Sequence, residues 1–187
     1  MNSQIDAAIK VLNSGGIILY PTDTIWGIGC DATNKEAVAK VYEIKKRENN
    51  RSLIVLAADA DMVCKYVKEM PEIAISLIEV GDKPMTIIYP NAIGLAENLL
   101  GEDNSIGIRV PMSEFCKKLI TRFKKPIVST SANISGEEAP LYYEDISNEI
   151  RNSVNLVIAP EMEDFATHAP SSIIKVGMRS EIEIIRD

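Results

Sequence analysis

The sequence predicts an α/β domain built on a mixed β-sheet. Short apolar runs rich in β-branched residues recur along all 187 residues, and segments of helical periodicity lie between them. The length suits one domain, 1–187, with a core large enough to need no disulfide or metal staple. The composition, 46% apolar and 25% charged, is that of an ordinary globular chain.

Taken in order, Ser3 caps a first helix with Ile5, Ala8, Ile9 and Leu12 on one face and Gly15-Gly16 as its stop. "IILY" follows as a buried strand ending at Pro21. "TNKE", Thr33 to Glu36, reads as a capping box that opens a helix through Ala37, Val38, Val41 and Tyr42. "LIVLA" is a strand. Residues 60–67 and 72–79 are helical, the second with Pro71 near its start. "MTIIY", "IGIRV", "PIVST", "NLVIA", "SSIIKV" and "EIEII" read as strands, with helices at 113–123 and near 143–150. "GIG" at 27–29 lacks the third glycine of a dinucleotide fingerprint and reads as a backbone bend.

Composition narrows the chemistry. A formal charge of −7 argues against a protein that coats nucleic acid, while leaving room for a local basic cleft. Cys30, Cys64 and Cys116 have neither metal-ligand nor redox spacing; they read as small core residues in a reducing cytosol. The polar N-terminus has no signal-type apolar stretch, and no run is long enough to span a membrane. With His168 as the one histidine, multi-histidine metal sites are excluded, and the residue itself reads as part of a surface loop.

Four polar stretches sit at strand ends, where α/β sheets place their sites. "YPTDTIWGIGCDA" (20–32) offers Thr22, Asp23 and Thr24 in a turn. "IKKRENNRSL" (44–53) gathers Lys45, Lys46, Arg47 and Arg51. These cations either shed charge into solvent at a helix end or converge in the following loop on an anion. "STSANISGE" (129–137) follows a buried strand with hydroxyls and free amides suited to phosphate or carboxylate oxygens. In "IGIRVP" (106–111), Arg109 interrupts an apolar strand. A buried arginine needs a partner, which is either a protein carboxylate or a ligand. "SGEEAPLYYED", with Gly136 and Pro140 and little core, reads as a lid.

In that order and spacing, "YPTDTIWGIGCDA", Lys45-Lys46-Arg47, "IGIRVP" and Ser131-Ala132-Asn133 resemble the YrdC/TsaC family, the threonylcarbamoyl-adenylate synthases. The resemblance runs from about Gly15 to Arg186, and the length is that of the short members. It implies a twisted open mixed sheet with flanking helices around a concave basic cavity. The implied reaction joins L-threonine, bicarbonate and ATP into threonylcarbamoyl-adenylate and pyrophosphate. No tightly bound cofactor is implied: ATP is a substrate, magnesium would accompany it, and no dedicated metal cage is expected. A partner complex then passes the threonylcarbamoyl group to an adenosine of tRNA.

By that resemblance Lys45, Arg47, Ser131 and Asn133 form the catalytic wall, and Arg51, Ser105 and Arg186 join them around ATP. Thr24, Arg109, Ser131 and Ser171 face threonine, with Arg109 on its carboxylate. Two other classes suit the same residues: an RNA-binding translation or ribosome-maturation factor, and a paralogue with another acyl acceptor.

The chain departs from the family pattern at Glu48, where proline is usual, at Arg51-Ser52-Leu53, and at Asp82-Lys83-Pro84. Leu56 and Leu141 stand where some members carry a histidine and a hydroxyl residue. Glu48→Pro is expected to preserve or improve turnover of ATP; a collapse in ATP affinity would show that this loop is built on another plan.

Overall fold

The computed structural model describes residues 1–47 and 53–187; Glu48 and Arg51, singled out above, fall outside them. The described strands form one mixed sheet in the order β7-β1-β2-β6-β3-β5-β4-β8-β9. They are β1 (Ile18–Tyr20), β2 (Gly27–Gly29), β3 (Ile54–Leu56), β4 (Met85–Tyr89), β5 (Ile106–Arg109), β6 (Ile127–Ser131), β7 (Leu156–Val157), β8 (Ser172–Val176) and β9 (Ile182–Arg186). Pairings β7–β1, β3–β5 and β4–β8 are parallel, and the others are antiparallel. The flanking helices are α1 (Asn2–Asn13), α2 (Lys35–Ile44), α3 (Ala60–Cys64), α4 (Glu72–Val80), α5 (Glu114–Phe123) and α6 (Asn148–Ser153). None is long and apolar enough to cross a membrane.

The core follows the periodicities. α1 buries Ile5, Ala8 and Leu12, α2 buries Ala37, Val38, Val41 and Tyr42, and α5 buries Phe115, Cys116, Leu119, Ile120 and Phe123. Ser113 caps α5 by accepting a hydrogen bond from the Cys116 N–H.

Several expectations shift. α1 begins at Asn2, and its cap position, Met1, makes no side-chain cap bond; Ser3 lies inside the helix. α2 is capped by Asn34, which accepts from the Ala37 N–H at 3.0 Å. Thr33 is drawn away because its N–H and hydroxyl both donate to Asp31 Oδ1. The helix read near 143–150 divides into a 3₁₀ turn at 143–145 and α6, capped by Ser147. Cys30 and Cys116 are buried, but Cys64 is exposed at the end of α3.

The largest correction is "GIG", which forms β2, fully buried between β1 and β6. Glycine disfavours strands unless another backbone comes close. Here a Cβ on Gly29 would stand 2.5 Å from the Val128 carbonyl oxygen and 2.7 Å from Tyr20 Cε1. Gly29→Ala is therefore expected to cost about 1–3 kcal/mol through overpacking, read as a lowered urea midpoint with unchanged slope. An unaltered midpoint would mean that the strands can part at this point.

Candidate active site

Alternation along the strands sends one set of side chains into a concavity on a single face of the sheet. Directly paired residues run from Arg109 on β5 to Thr86 on β4, Ile173 on β8 and Arg186 on β9. This row lines a cavity of about 290 Å³, together with Thr24, Trp26, Gly27, Arg47, Ile54, Ser129, Ser131 and Ser171.

Arg47 reaches the cavity through the way α2 ends. The Lys46 N–H donates to Glu43 O and the Arg47 N–H to Tyr42 O, with Lys46 left-handed at φ 47°. This is the Schellman pattern, in which one left-handed residue reverses the chain at a helix end. Lys46 is thereby turned outward, 2.8 Å from Glu149. Lys45 and Arg47, which would diverge on a continuing helix, instead serve one wall. Neither of these two residues is shed into solvent: Lys45 is buried and Arg47 lines the cavity.

Lys45 does not line the cavity; it stands behind the wall with 2% exposure. Its Nζ donates to Ser131 O at 2.6 Å, Ser131 Oγ at 3.2 Å and Asn133 Oδ1 at 2.9 Å, which occupies all three ammonium hydrogens. The same loop is tightened by Ser131 Oγ donating to Asn133 Oδ1 and by the Ser135 N–H donating to Lys45 O. Burial, reinforced by the charge of Arg47 and opposed by Glu137, lowers the Lys45 pKa to about 8.

Of the two alternatives left open by the sequence, the structure shows the protein carboxylate as a partner of Arg109, which also borders the cavity. Its Nη2 lies 3.1 Å from Asp23 Oδ1, with both side chains buried, and also donates to Thr22 Oγ1 at 3.4 Å. Thr22 and Thr24 share a hydroxyl bond at 2.9 Å, and Ser171 and Thr86 share one at 2.8 Å. Arg186 donates through Nε and Nη2 to Ser171 O. Burial and the neighbouring Arg109 charge lower its pKa. Arg186 thus stands beside Ser171 and Arg109, on the side that the resemblance gives to threonine. Ser105 is not among the lining residues; its N–H donates to Asp103 in the turn before β5.

Thr86 and Ser129 line the cavity without having been singled out from the sequence. Their signal is a hydroxyl interrupting an apolar strand. Trp26 was quoted only within its motif. Its ring packs against Tyr143 at a tilt of 52°, with centroids 4.9 Å apart, and its Nε1 donates to Glu163 Oε2 at 2.7 Å. His168 lies in a loop, as expected, and contacts Leu141 O through Nδ1 at 3.0 Å. The supposed lid segment contributes Ala139 to the cavity lining.

Fold and cavity together define an α/β protein that collects cations and hydroxyls on one face of a mixed sheet. The sequence model of the Sua5/YciO/YrdC family, described as telomere recombination, matches residues 10–187, and the chain belongs to that family. It is 31% identical over 170 residues to a threonylcarbamoyl-AMP synthase of Psychromonas ingrahamii, covering 88% of this chain and 89% of the relative. The crystal structure of P. abyssi Sua5 complexed with L-threonine superposes with a TM-score of 0.84 at 26% identity, covering 92% of this chain and 50% of that one. This chain therefore spans half the length of that protein. E. coli YciO shares the fold, with a TM-score of 0.81 at 21% identity over 100% of this chain and 90% of its own.

The lowered Lys45 pKa has a signed consequence. Between about 8 and the ordinary 10.5 the unfolded chain holds the proton that the folded one has lost, so this group's contribution to stability rises with pH across that window. The stability of the wild type relative to Lys45→Met is expected to increase from pH 8 to 10 in denaturant titrations; a pH-independent difference would contradict the burial argument.

Proposed function

We propose that this protein is an L-threonylcarbamoyladenylate synthase, a nucleotidyltransferase acting on ATP, L-threonine and bicarbonate. The observation that carries the reading is the charge of the cavity. In a chain of formal charge −7, Arg47, Arg109 and Arg186 border one cavity of about 290 Å³ with Lys45 directly behind it. Asp23, behind Arg109, is paired with that arginine. Three anionic reactants need such a place, and their mutual repulsion must be offset before they can meet.

The chemistry proceeds in two steps. The threonine amine attacks bicarbonate to give a carbamate with loss of water. A carbamate oxygen then attacks the α-phosphorus of ATP, and the bond to the β-phosphate oxygen breaks to release pyrophosphate. Arg47 and the Ser131–Asn133 loop, braced by Lys45, hold the phosphates. Arg109 takes the threonine carboxylate, with Thr24 and Ser171 around the side chain. These residues work by positioning and by fixed positive charge where negative charge develops. Magnesium would arrive with ATP and neutralise its phosphates. Among the described residues no group of three or more acidic, histidine or cysteine side chains could cage a metal, so no step is assigned to it. The adenylate would then pass to a tRNA-modifying partner complex.

The test is incubation with ATP, bicarbonate and single amino acids. Pyrophosphate release that depends on threonine is expected, falling by about two orders of magnitude or more in Arg109→Gln through misplacement of the carboxylate. Release independent of threonine, or dependent on a different amino acid, would refute the assignment. Salt-dependent tRNA binding without turnover would favour an RNA-binding module.

A further inference from the structure

Asp23 lies behind the row of cavity residues, with a side chain that is 0% exposed. A fully buried carboxylate is costly unless each oxygen is engaged. Oδ2 accepts the Met112 N–H at 3.0 Å, while Oδ1 lies 3.1 Å from Arg109 Nη2 as an ion pair without hydrogen-bond geometry. The backbone oxygen of Asp23 accepts the Thr167 N–H at 3.1 Å. One residue thus ties together the 22–26 turn, the segment after β5 and the loop leading to Ser171. The turn carries Thr24 and the loop leads to Ser171, both at the cavity, while the segment after β5 directly follows Arg109.

Arg109 needs such a tie. It projects from a central strand, and three strands along the same row Arg186 presents a second guanidinium, near enough to lower its own pKa. Unopposed, the two cations would push Arg109 off its position. Asp23 and the Thr22 hydroxyl both engage Nη2. Both contacts hold that one nitrogen, and Nε, itself buried, has no hydrogen-bond partner among the described residues.

We infer that Asp23 is a positioning residue for amino-acid recognition: it holds the Arg109 guanidinium by one nitrogen, so that the group keeps its place at the cavity for the substrate carboxylate. This rests on the reading of Arg109 as the threonine-carboxylate ligand. Asparagine cannot replace it. An amide can still accept the Met112 N–H, but it carries no charge, so Arg109 loses its buried ion-pair partner.

The experiment compares steady-state kinetics of wild type, Asp23→Asn, Arg109→Gln and the double variant, varying threonine and ATP separately. In Asp23→Asn the threonine KM is expected to rise at least about tenfold, with the ATP KM within about twofold. The double variant should be no worse for threonine than Arg109→Gln alone, because both substitutions remove one interaction. Equal losses for ATP and threonine, or losses that add in the double variant, would make Asp23 a merely structural residue and overturn the inference. If Asp23→Asn does not fold, Asp23→Glu serves instead. It keeps the charge but displaces the carboxylate, and a threonine-selective rise in KM is again expected, while an unchanged KM overturns the inference. Failure of the functional reading shows separately, as absence of threonine-dependent pyrophosphate in the wild type.

Discussion

The buried pair between Asp23 and Arg109 is the constraint around which the cavity is arranged. An arginine on a central β-strand needs a counter-charge inside the protein. Asp23 supplies it from a turn remote in sequence, and its second oxygen and backbone carbonyl then bind Met112 and Thr167. The loops at the cavity rim are held where satisfying one buried carboxylate requires them to be. Thr22 and Thr24 on one side, and Ser171 on the other, inherit their places from that arrangement.

A second device brings cations from the opposite wall. α2 ends in a left-handed residue, and the chain reversal at Lys46 separates three adjacent basic residues by function. Lys46 goes to Glu149 at the surface, Arg47 borders the cavity, and Lys45 turns inward to brace the Ser131–Asn133 loop. Holding a lysine there lowers its pKa and fills its donors with protein acceptors. Its contribution is then the shape of the loop and a fixed charge behind it. An acidic chain can build a basic site in this way because the field is confined to a few residues on one face of the sheet, while the surplus acids lie elsewhere on the surface.

Much of the fold was legible in the sequence. β4 was read residue for residue, and α5 within one residue, because their apolar periodicity is strong and their ends are marked by proline and by the Ser113 cap. β2 was not legible. Two glycines carry no side-chain pattern, and the close approach of the Val128 carbonyl to Gly29 comes from a strand distant in sequence. α2 was misplaced by one residue because Thr33 and Asn34 are both competent caps, and only the contact with Asp31 decides between them.

The site divides along the same line. The sequence by itself determined the chemical inventory: the basic cluster, the lone strand arginine, the hydroxyl-rich loop and their order along the chain, since these are residue identities and local patterns. Tertiary structure alone decided which of them meet. Pairing of β5, β4, β8 and β9 puts Arg109 and Arg186 on one face and leaves Ser105 outside the lining. The reversal at Lys46 converts a helix end into a wall, and the pairings of β4 with β5 and of β6 with β3 bring Thr86 and Ser129 into the cavity. Strand register and backbone handedness fix these neighbours, and both depend on long-range contacts that no local window of sequence contains.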